Sequence, residues 1–317
     1  MRFSVIIPLY NKAPYVAKAI ASVLSQTFID YELVIMDDGS KDDSYNAALK
    51  AIEGKPNCHL YKQDNAGVSM ARNNAVARSH GDYLCFLDAD DWWEQSFLKE
   101  MSKLIEEFPD AGIYGTNYTI VKETNHKTRV ASVGVEDGFD RGYINYCQVY
   151  AKTMYMPLWT GAVSIPRIVF EEMQGFPKGI KLGEDFLLWI RIALKYKVVF
   201  LNKPLAFYNQ DVDAENSGVK SFSYNPDTFM TFHFNQFNDL EKYNKDLKIL
   251  LDRHRVYTLL SFKLKGVELE KVEEEIKKVD FKNVEKKYYF YYKMPRVFVK
   301  TYWYMRKFIS TIKKSII

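Results

Sequence analysis

The sequence contains few cysteines and histidines, and neither residue type forms a metal-binding pattern. Its 317 residues include three cysteines and five histidines. Cys58, Cys85 and Cys147 are too widely spaced for a zinc cluster. An odd number of scattered thiols favours reduced cysteines in a cytosolic compartment over a disulfide framework. We therefore expect neither a disulfide-stabilised fold nor a zinc site.

Long apolar runs and the common nucleotide-binding motifs are also missing. No run reaches the roughly 18 apolar residues of a membrane span. The apolar stretch that follows Met1 is too short for the core of a signal peptide, so nothing in it indicates export. Neither GxGxxG after the first apolar run nor GxxxxGK[ST] occurs, so the sequence lacks a dinucleotide fingerprint and a P-loop.

Acidic residues are absent from the C-terminal segment. Residues 286–317 hold nine of the 44 basic residues and no Asp or Glu, so the 285 residues before them carry 35 basic against 40 acidic side chains. The tail also has an apolar stripe at helical spacing, which consists of Phe298, Tyr302, Met305, Ile309, Ile312 and Ile316. A basic helix with such a face over residues 294–317 is typical of peripheral association with an anionic membrane. A helix docked on the N-terminal domain, or a contact with a second subunit, is the alternative, and the acidic remainder argues against nucleic acid.

The first 121 residues alternate between short apolar runs and helical patterns. Predicted strands are Ser4 to Leu9, Tyr31 to Met36, His59 to Lys62, Tyr83 to Leu87 and Gly112 to Val121. Helical periodicity lies between each pair of strands, which predicts an α/β fold with a parallel sheet covered by helices. Ligands bind such sheets beyond the carboxyl ends of the strands.

Polar clusters follow four of these strands. They are Pro8-Leu9-Tyr10-Asn11, Asp37-Asp38-Gly39-Ser40, Asp64-Asn65-Ala66-Gly67 and Asp88-Ala89-Asp90-Asp91. Each cluster alone is ordinary turn chemistry, but their shared position predicts one binding site. Asp88 and Asp90 could hold one side of a hard divalent cation whose other ligands are waters and substrate phosphates. The alternative is an Asp-rich turn before a helix.

These motifs, in this order, resemble the family 2 glycosyltransferases. The resemblance is dense over residues 4–95, sparser over 157–217, and absent beyond about 225. It implies a Rossmann-like, nucleotide-sugar-binding (GT-A type) mixed sheet covered by helices. We expect a catalytic domain at residues 1–221 and a helical C-terminal region at residues 222–317.

The resemblance implies a role for the residues at the first three strand ends. Pro8 and Tyr10 would line the nucleobase pocket together with Asn11, and Asp38 would hydrogen-bond the base, usually uracil. The alternatives are a strand-end proline and a core tyrosine.

The diphosphate and sugar of the donor would lie further along the same edge. Asn65, Gly67 and Arg72 would lie beside them, and Asp88 with Ala89 would contact the ribose or the donor sugar. For Arg72 the alternative is a solvated helix face.

The resemblance also implies the metal ligand and the catalytic base. Asp90 would ligate Mn²⁺ or Mg²⁺. Asp185, in Gly183-Glu184-Asp185, matches the family's Glu-Asp motif and would take the proton of the acceptor hydroxyl. Acids at a helix start are the compatible alternative. Glu184 and Trp159 would border the acceptor or the sugar, although Trp159 could equally pack in the core.

One region departs from the family pattern. Tyr208-Asn209-Gln210 and the following Asn216-Ser217 stand where many relatives carry Arg and His against the diphosphate. Asn209, Gln210, Ser217 or Lys220 are the candidate substitutes.

The sequence thus predicts an inverting glycosyltransferase at the cytoplasmic membrane face. It would move a sugar from a nucleotide-sugar, usually a UDP-sugar, to a glycan or lipid-linked acceptor in surface polysaccharide synthesis. A non-catalytic nucleotide-sugar-binding or scaffold protein is the rival from another class. A sugar-phosphate nucleotidyltransferase would need a Gly-rich basic N-terminal loop, which Pro8-Leu9-Tyr10-Asn11 is not.

Overall fold

A computed structural model of the chain describes residues 2–122, 127–212, 224–302 and Met305. The chain forms two compact units, Met1–Phe222 and Ser223–Ile317.

The first unit is built on one mixed sheet, to which ten strands of the described chain contribute. Its main path runs β3-β2-β1-β4-β9-β6-β10-β5, while β7 pairs with β6 and β8 with β10. The strands are β1 (Phe3–Leu9), β2 (Tyr31–Asp37), β3 (Cys58–Lys62), β4 (Tyr83–Phe86), β5 (Trp92–Trp93), β6 (Ala111–Lys122), β7 (Lys127–Val130), β8 (Arg141–Ile144), β9 (Val163–Pro166) and β10 (Lys197–Asn209).

Seven α-helices accompany this sheet in the described part of the first unit. They are α1 (Val16–Leu24), α2 (Ser44–Ala51), α3 (Val68–Val76), α4 (Phe97–Glu107), α5 (Tyr146–Thr153), α6 (Arg167–Glu172) and α7 (Glu184–Lys195). The amphipathic pattern of α4 illustrates why they form, since its apolar side chains recur at helical spacing and are buried, at Phe97, Leu98, Met101, Leu104 and Ile105. All seven residues of β1 and of β2 are buried, as expected for central parallel strands covered on both faces.

The predicted fold class is confirmed, and the structure extends it. Strands β1 to β4 and β6 occupy the five predicted positions. The sequence did not predict β9, which pairs antiparallel with both β4 and β6 and so separates two parallel portions of the sheet. It also did not predict β10, which pairs parallel with β6. Because β3, β2, β1 and β4 are mutually parallel, their carboxyl ends share one edge.

The second unit is helical in the described residues. Its α-helices are α8 (Leu240–Tyr243), α9 (Lys245–Lys265), α10 (Leu269–Lys277) and α11 (Lys286–Lys293), and residues 296–302 are also helical. Arg255 of α9 is fully buried and is paired with Glu241 at 2.7 Å and Glu275 at 3.2 Å, which joins α8, α9 and α10. No described helix is both long and apolar enough to cross a membrane.

The C-terminal segment presents apolar side chains to solvent. Val299 is buried against Leu260 and Tyr291. Its neighbours Val297 and Phe298 are 72% and 61% exposed. Other exposed apolar side chains of this segment are Tyr289, Phe290, Met294, Tyr302 and Met305. The predicted stripe residues Ile309, Ile312 and Ile316 lie outside the described residues.

A buried glutamate fixes the start of β4. Glu32 in β2 is 1% exposed, and its Oε1 accepts hydrogen bonds from Ser4 Oγ at 2.7 Å, from the His80 amide at 2.5 Å and from the Gly81 amide at 2.9 Å. Burial opposes its negative charge, but the hydrogen bonds from His80 and Ser4 prevail and lower its pKa. The same turn is held by Arg167, which donates to the Gly81 carbonyl at 2.8 Å. This network orients the strand that precedes Asp88.

We expect Glu32→Ala to lower the free energy of unfolding by roughly 2–4 kcal/mol, because three donors lose their acceptor and two of them, the Ser4 hydroxyl and the Gly81 amide, are buried. Glu53→Ala, which removes an exposed carboxylate after α2, is the matched control and should change little. A group with a lowered pKa stabilises the fold above its unfolded pKa of about 4.3 and loses this contribution as the pH falls. Stability measured from pH 7 to pH 3 should therefore fall less in Glu32→Ala than in the unaltered chain. Equal stability of the two variants at pH 7 would contradict the role of Glu32.

Candidate active site

Asp38 ties together the loops that follow β2 and β3. Its Oδ1 accepts hydrogen bonds from Gln63 Nε2 at 2.7 Å and from the Ala66 amide at 2.8 Å, and its Oδ2 accepts one from the Gly67 amide at 2.9 Å. The Asn65 side-chain amide donates to the Asp38 carbonyl at 2.9 Å. Asp38 therefore shapes the Asn65-Ala66-Gly67 loop from within, and its contact with a base stays a prediction.

Asn11 joins the β1 loop to the same region. Its backbone is left-handed, with φ of 51°, and its Oδ1 accepts a hydrogen bond from the Lys41 amide at 2.8 Å. Its own amide donates to Ser40 Oγ at 3.1 Å. Pro8 is buried within β1, whereas Tyr10 is 40% exposed at the strand end. The exposure of Tyr10 argues against a core role and leaves its ring available to a planar ligand.

Arg72 connects two motifs that are far apart in sequence. This α3 side chain donates from Nη2 to Asp88 Oδ1 at 2.7 Å and from Nη1 to Glu184 Oε1 at 2.8 Å. It is only 3% exposed, and its guanidinium lies 5.0 Å from the centre of the Phe176 ring. Burial opposes the charge of Arg72, but Asp88 and Glu184 prevail and raise its pKa. The solvated helix face considered from the sequence is thus wrong.

Glu184 and Asp185 begin α7 with contrasting partners. Glu184 faces Arg72, whereas Asp185 Oδ2 accepts a hydrogen bond from Thr160 Oγ1 at 2.7 Å. Burial raises the pKa of both carboxyls, and Asp185 raises that of Glu184 further. The Thr160 hydroxyl and the Arg72 charge counteract the rise at Asp185. A carboxylate with a raised pKa is a stronger base, and hydrogen bonds to its ionised form keep it available.

Asp90 lies next to a cationic group. The Lys12 ammonium is 2.5 Å from Asp90 Oδ2, and the two side chains are 13% and 16% exposed. Burial raises the pKa of Asp90, Lys12 counteracts this effect, and Asp88 adds to it. The next residue, Asp91, is buried and accepts a hydrogen bond from the Asn209 amide at 2.7 Å.

The donor set near Asp90 fits one side of a divalent cation. Within the described residues, no group of three or more His, Cys, Asp or Glu side chains could enclose a metal ion. Asp90 with the nearby Asp88 instead offers carboxylate oxygens, the ligands that Mg²⁺ and Mn²⁺ prefer. The Asp90 carboxylate is already paired with one cationic group, the Lys12 ammonium. A cation that kept waters and took further ligands from a diphosphate would be compatible with this partial set.

Trp159 belongs to an aromatic group beside Asp185. Its ring centre lies 5.0 Å from Tyr118 and 5.2 Å from Tyr208, and it packs against the core while keeping partial exposure. Asp185 contributes to the raised pKa of Tyr118, although burial is its main cause. Trp159 therefore packs against the core, as one sequence alternative proposed, and its role beside a sugar stays a prediction.

The structure links several predicted site residues by direct contacts, Asp38 with the Asn65 loop and Arg72 with Asp88 and Glu184, and adds partners that the sequence analysis missed. Lys12 and Thr160 are the main additions. Of the two, only Lys12 could have been found from the sequence, because it directly follows Tyr10-Asn11. Ala89 is buried between the two site aspartates at 2% exposure. Asn216, Ser217 and Lys220 lie outside the described residues.

Sequence comparison places the chain among glycosyltransferases. A model of glycosyl transferase family 2 matches residues 4–157, and a model of glycosyl transferase family group 2 matches residues 83–233. An uncharacterized glycosyltransferase of Rickettsia felis is 32% identical over 205 residues, which are 65% of this chain and 32% of that protein. Glycosyltransferase GlyA of Streptococcus pneumoniae is 32% identical over 65% of this chain and 30% of its own length. The chain spans about a third of the length of these relatives.

Solved structures share the fold. TarS residues 1–349 of S. aureus, in complex with UDP-GlcNAc, superposes with a TM-score of 0.71 at 19% identity and covers 89% of this chain and 83% of that one. This likeness supports the fold, while the family models and the relatives support membership. The chain therefore belongs to glycosyl transferase family 2.

Proposed function

We propose that the chain transfers a sugar from a UDP-sugar to a hydroxyl of a glycan or lipid-linked acceptor, with inversion, in surface polysaccharide synthesis. One observation carries this proposal: Arg72 bonds both Asp88, the proposed donor contact, and Glu184, the neighbour of the proposed base. The proposed donor and base positions would therefore lie in one cluster. The TarS structures solved with UDP-GlcNAc and with UDP support a nucleotide-sugar donor.

The donor would bind along the edge formed by the first four strand ends. Tyr10 would stack on the base, with Pro8, Asn11 and Asp38 shaping its pocket. The loop held by Asp38 would place Asn65 and Gly67 beside the diphosphate, and Asp88 with Ala89 would contact the ribose or the donor sugar.

Asp185 would act as the general base. The acceptor oxygen attacks the anomeric carbon as the bond to the diphosphate oxygen breaks, and the hydroxyl proton passes to Asp185. A single displacement of this kind inverts the anomeric centre. Thr160 orients the carboxylate, and Glu184 with Trp159 would border the sugar or the acceptor. Arg72 would balance the charges of the carboxylates that surround the donor.

A divalent cation, Mn²⁺ or Mg²⁺, would be held by Asp90. When bound there, it would stabilise the negative charge on the leaving diphosphate. Asp90 is suited to this position for three reasons. It follows β4 closely in the chain, it is largely shielded from water, and it already attracts the Lys12 ammonium.

The protein would work at the cytoplasmic face of the membrane, through its C-terminal segment. Exposed Phe290, Val297 and Phe298 offer an apolar surface, and the segment from residue 286 onward carries basic and no acidic side chains. Apolar insertion combined with basic charge favours an anionic bilayer.

The broadest test is a screen for nucleoside diphosphate release from a panel of nucleotide sugars. The screen is run with Mn²⁺, with and without lipid-linked acceptors. Release that depends on both a UDP-sugar and an acceptor is the expected result. Tight UDP-sugar binding without turnover on any acceptor tested would favour the non-catalytic binding protein.

Asp185→Asn should lower single-turnover transfer by roughly 10²–10⁴-fold, because the amide cannot take the proton. UDP affinity should stay within a few-fold, because the substitution leaves the edge formed by the strand ends unchanged. Asp110→Asn, the same change at an exposed carboxylate paired with Lys197, is the control. Transfer by Asp185→Asn at nearly the unaltered rate would remove this residue from the mechanism.

Asp90→Ala should abolish the gain in UDP affinity that Mn²⁺ gives, as measured by titration calorimetry with and without the metal. The expected loss follows from the removal of the proposed protein ligand of the cation. Asp137→Ala, which removes an exposed carboxylate from a loop, should keep the gain. A metal effect that survives in Asp90→Ala would place the cation elsewhere.

The double variant Phe290→Ser/Phe298→Ser should bind anionic liposomes more weakly than the unaltered chain in co-sedimentation. Both side chains are more than half exposed, so their loss should leave the melting temperature within a few degrees. Ile168→Ser, at a 72% exposed position of α6, is the matched control. If the unaltered chain never sediments with the liposomes, the membrane proposal is wrong.

A further inference from the structure

Lys12 contacts the carboxylate that would hold the proposed cation. Its ammonium contacts Asp90 Oδ2 at 2.5 Å, while the neighbouring Asp88 is already paired with Arg72 at 2.7 Å. Both partners of the Lys12 pair are more than four-fifths shielded from water. The ion pair is therefore screened less than one at the surface, and it holds the Asp90 carboxylate in place.

A divalent cation that approaches Asp90 meets this ammonium as a like charge. The repulsion weakens binding of the metal as long as Lys12 stays on the carboxylate. A nucleoside diphosphate changes the balance, because its phosphate oxygens offer the ammonium a new anionic partner beside Asp90. Lysine suits such an exchange, since its ammonium is a point charge on a flexible stem.

We propose that Lys12 is a donor-binding residue that pairs with Asp90 in the free protein and moves to the diphosphate when cation and donor bind together. This inference rests on the proposed function, in which Asp90 holds the cation. The exchange makes metal binding weak without the nucleotide and strong with it. Part of the mutual dependence of metal binding and donor binding therefore rests on the side chain of Lys12, in the loop after β1.

The test uses Lys12→Met, which keeps the apolar stem and removes the charge. Mn²⁺ affinity without nucleotide is measured from the electron paramagnetic resonance signal of the free ion, and UDP affinity at saturating Mn²⁺ by calorimetry. We expect Mn²⁺ to bind roughly three- to tenfold more tightly to the variant, and UDP roughly tenfold more weakly, because one nearby positive charge is lost. Lys50→Met, at an exposed position of α2, should change neither value.

Lys12→Arg keeps the charge and shows whether an effect of Lys12→Met comes from the lost charge or from a loss of folding. It should retain UDP affinity better than Lys12→Met at an equal melting temperature. Weaker Mn²⁺ binding together with unchanged UDP affinity in Lys12→Met would overturn the exchange, because Lys12 would then only orient Asp90. Failure of the proposed function looks different: the unaltered chain would gain no UDP affinity from Mn²⁺, which overturns the cation site and the exchange with it.

Discussion

The buried guanidinium of Arg72 is the constraint on which the site depends. It holds Asp88, two residues beyond β4, and Glu184 at the start of α7, residues that are 96 positions apart in the chain. Removal of one partner from such a buried pair costs about 3–5 kcal/mol, since a charge is left without compensation. The strand end and the helix start must therefore keep a fixed separation. Asp185, one residue beyond Glu184, inherits its position from this contact.

Charge balance explains why the site would need an additional cation. Asp88, Asp90, Glu184 and Asp185 converge there, and the described partners of opposite sign are Arg72 and Lys12. A nucleoside diphosphate adds further negative charge to an edge that is already acidic. Burial and the negative charge of Asp88 both disfavour ionisation of Asp90 and of Asp185, and the pKa of each is therefore raised. A cation that arrived with the proposed donor would offset this charge.

The sequence predicted those parts of the site that follow from local pattern. Parallel strands end at one edge, so the clusters at Asp38, Asn65 and Asp88 had to lie near one another. What it could not predict are contacts set by packing. The partner of Arg72 on α7 lies 112 residues away, and no spacing rule connects the two. The short strand β9 escaped prediction for a similar reason, because its four residues gain their conformation from pairing with β4 and β6.

The helix at residues 296–302 has two faces with different surroundings. Successive residues of a helix point about 100° apart, so Phe298 and Val299 face different surroundings. Val299 is buried against Leu260 and Tyr291, which docks the segment within its own unit. Phe298 is 61% exposed on another face. Docking within the unit and contact with a membrane are thus not exclusive, because the first uses one face of the helix and leaves the apolar side chains of the other available to a bilayer.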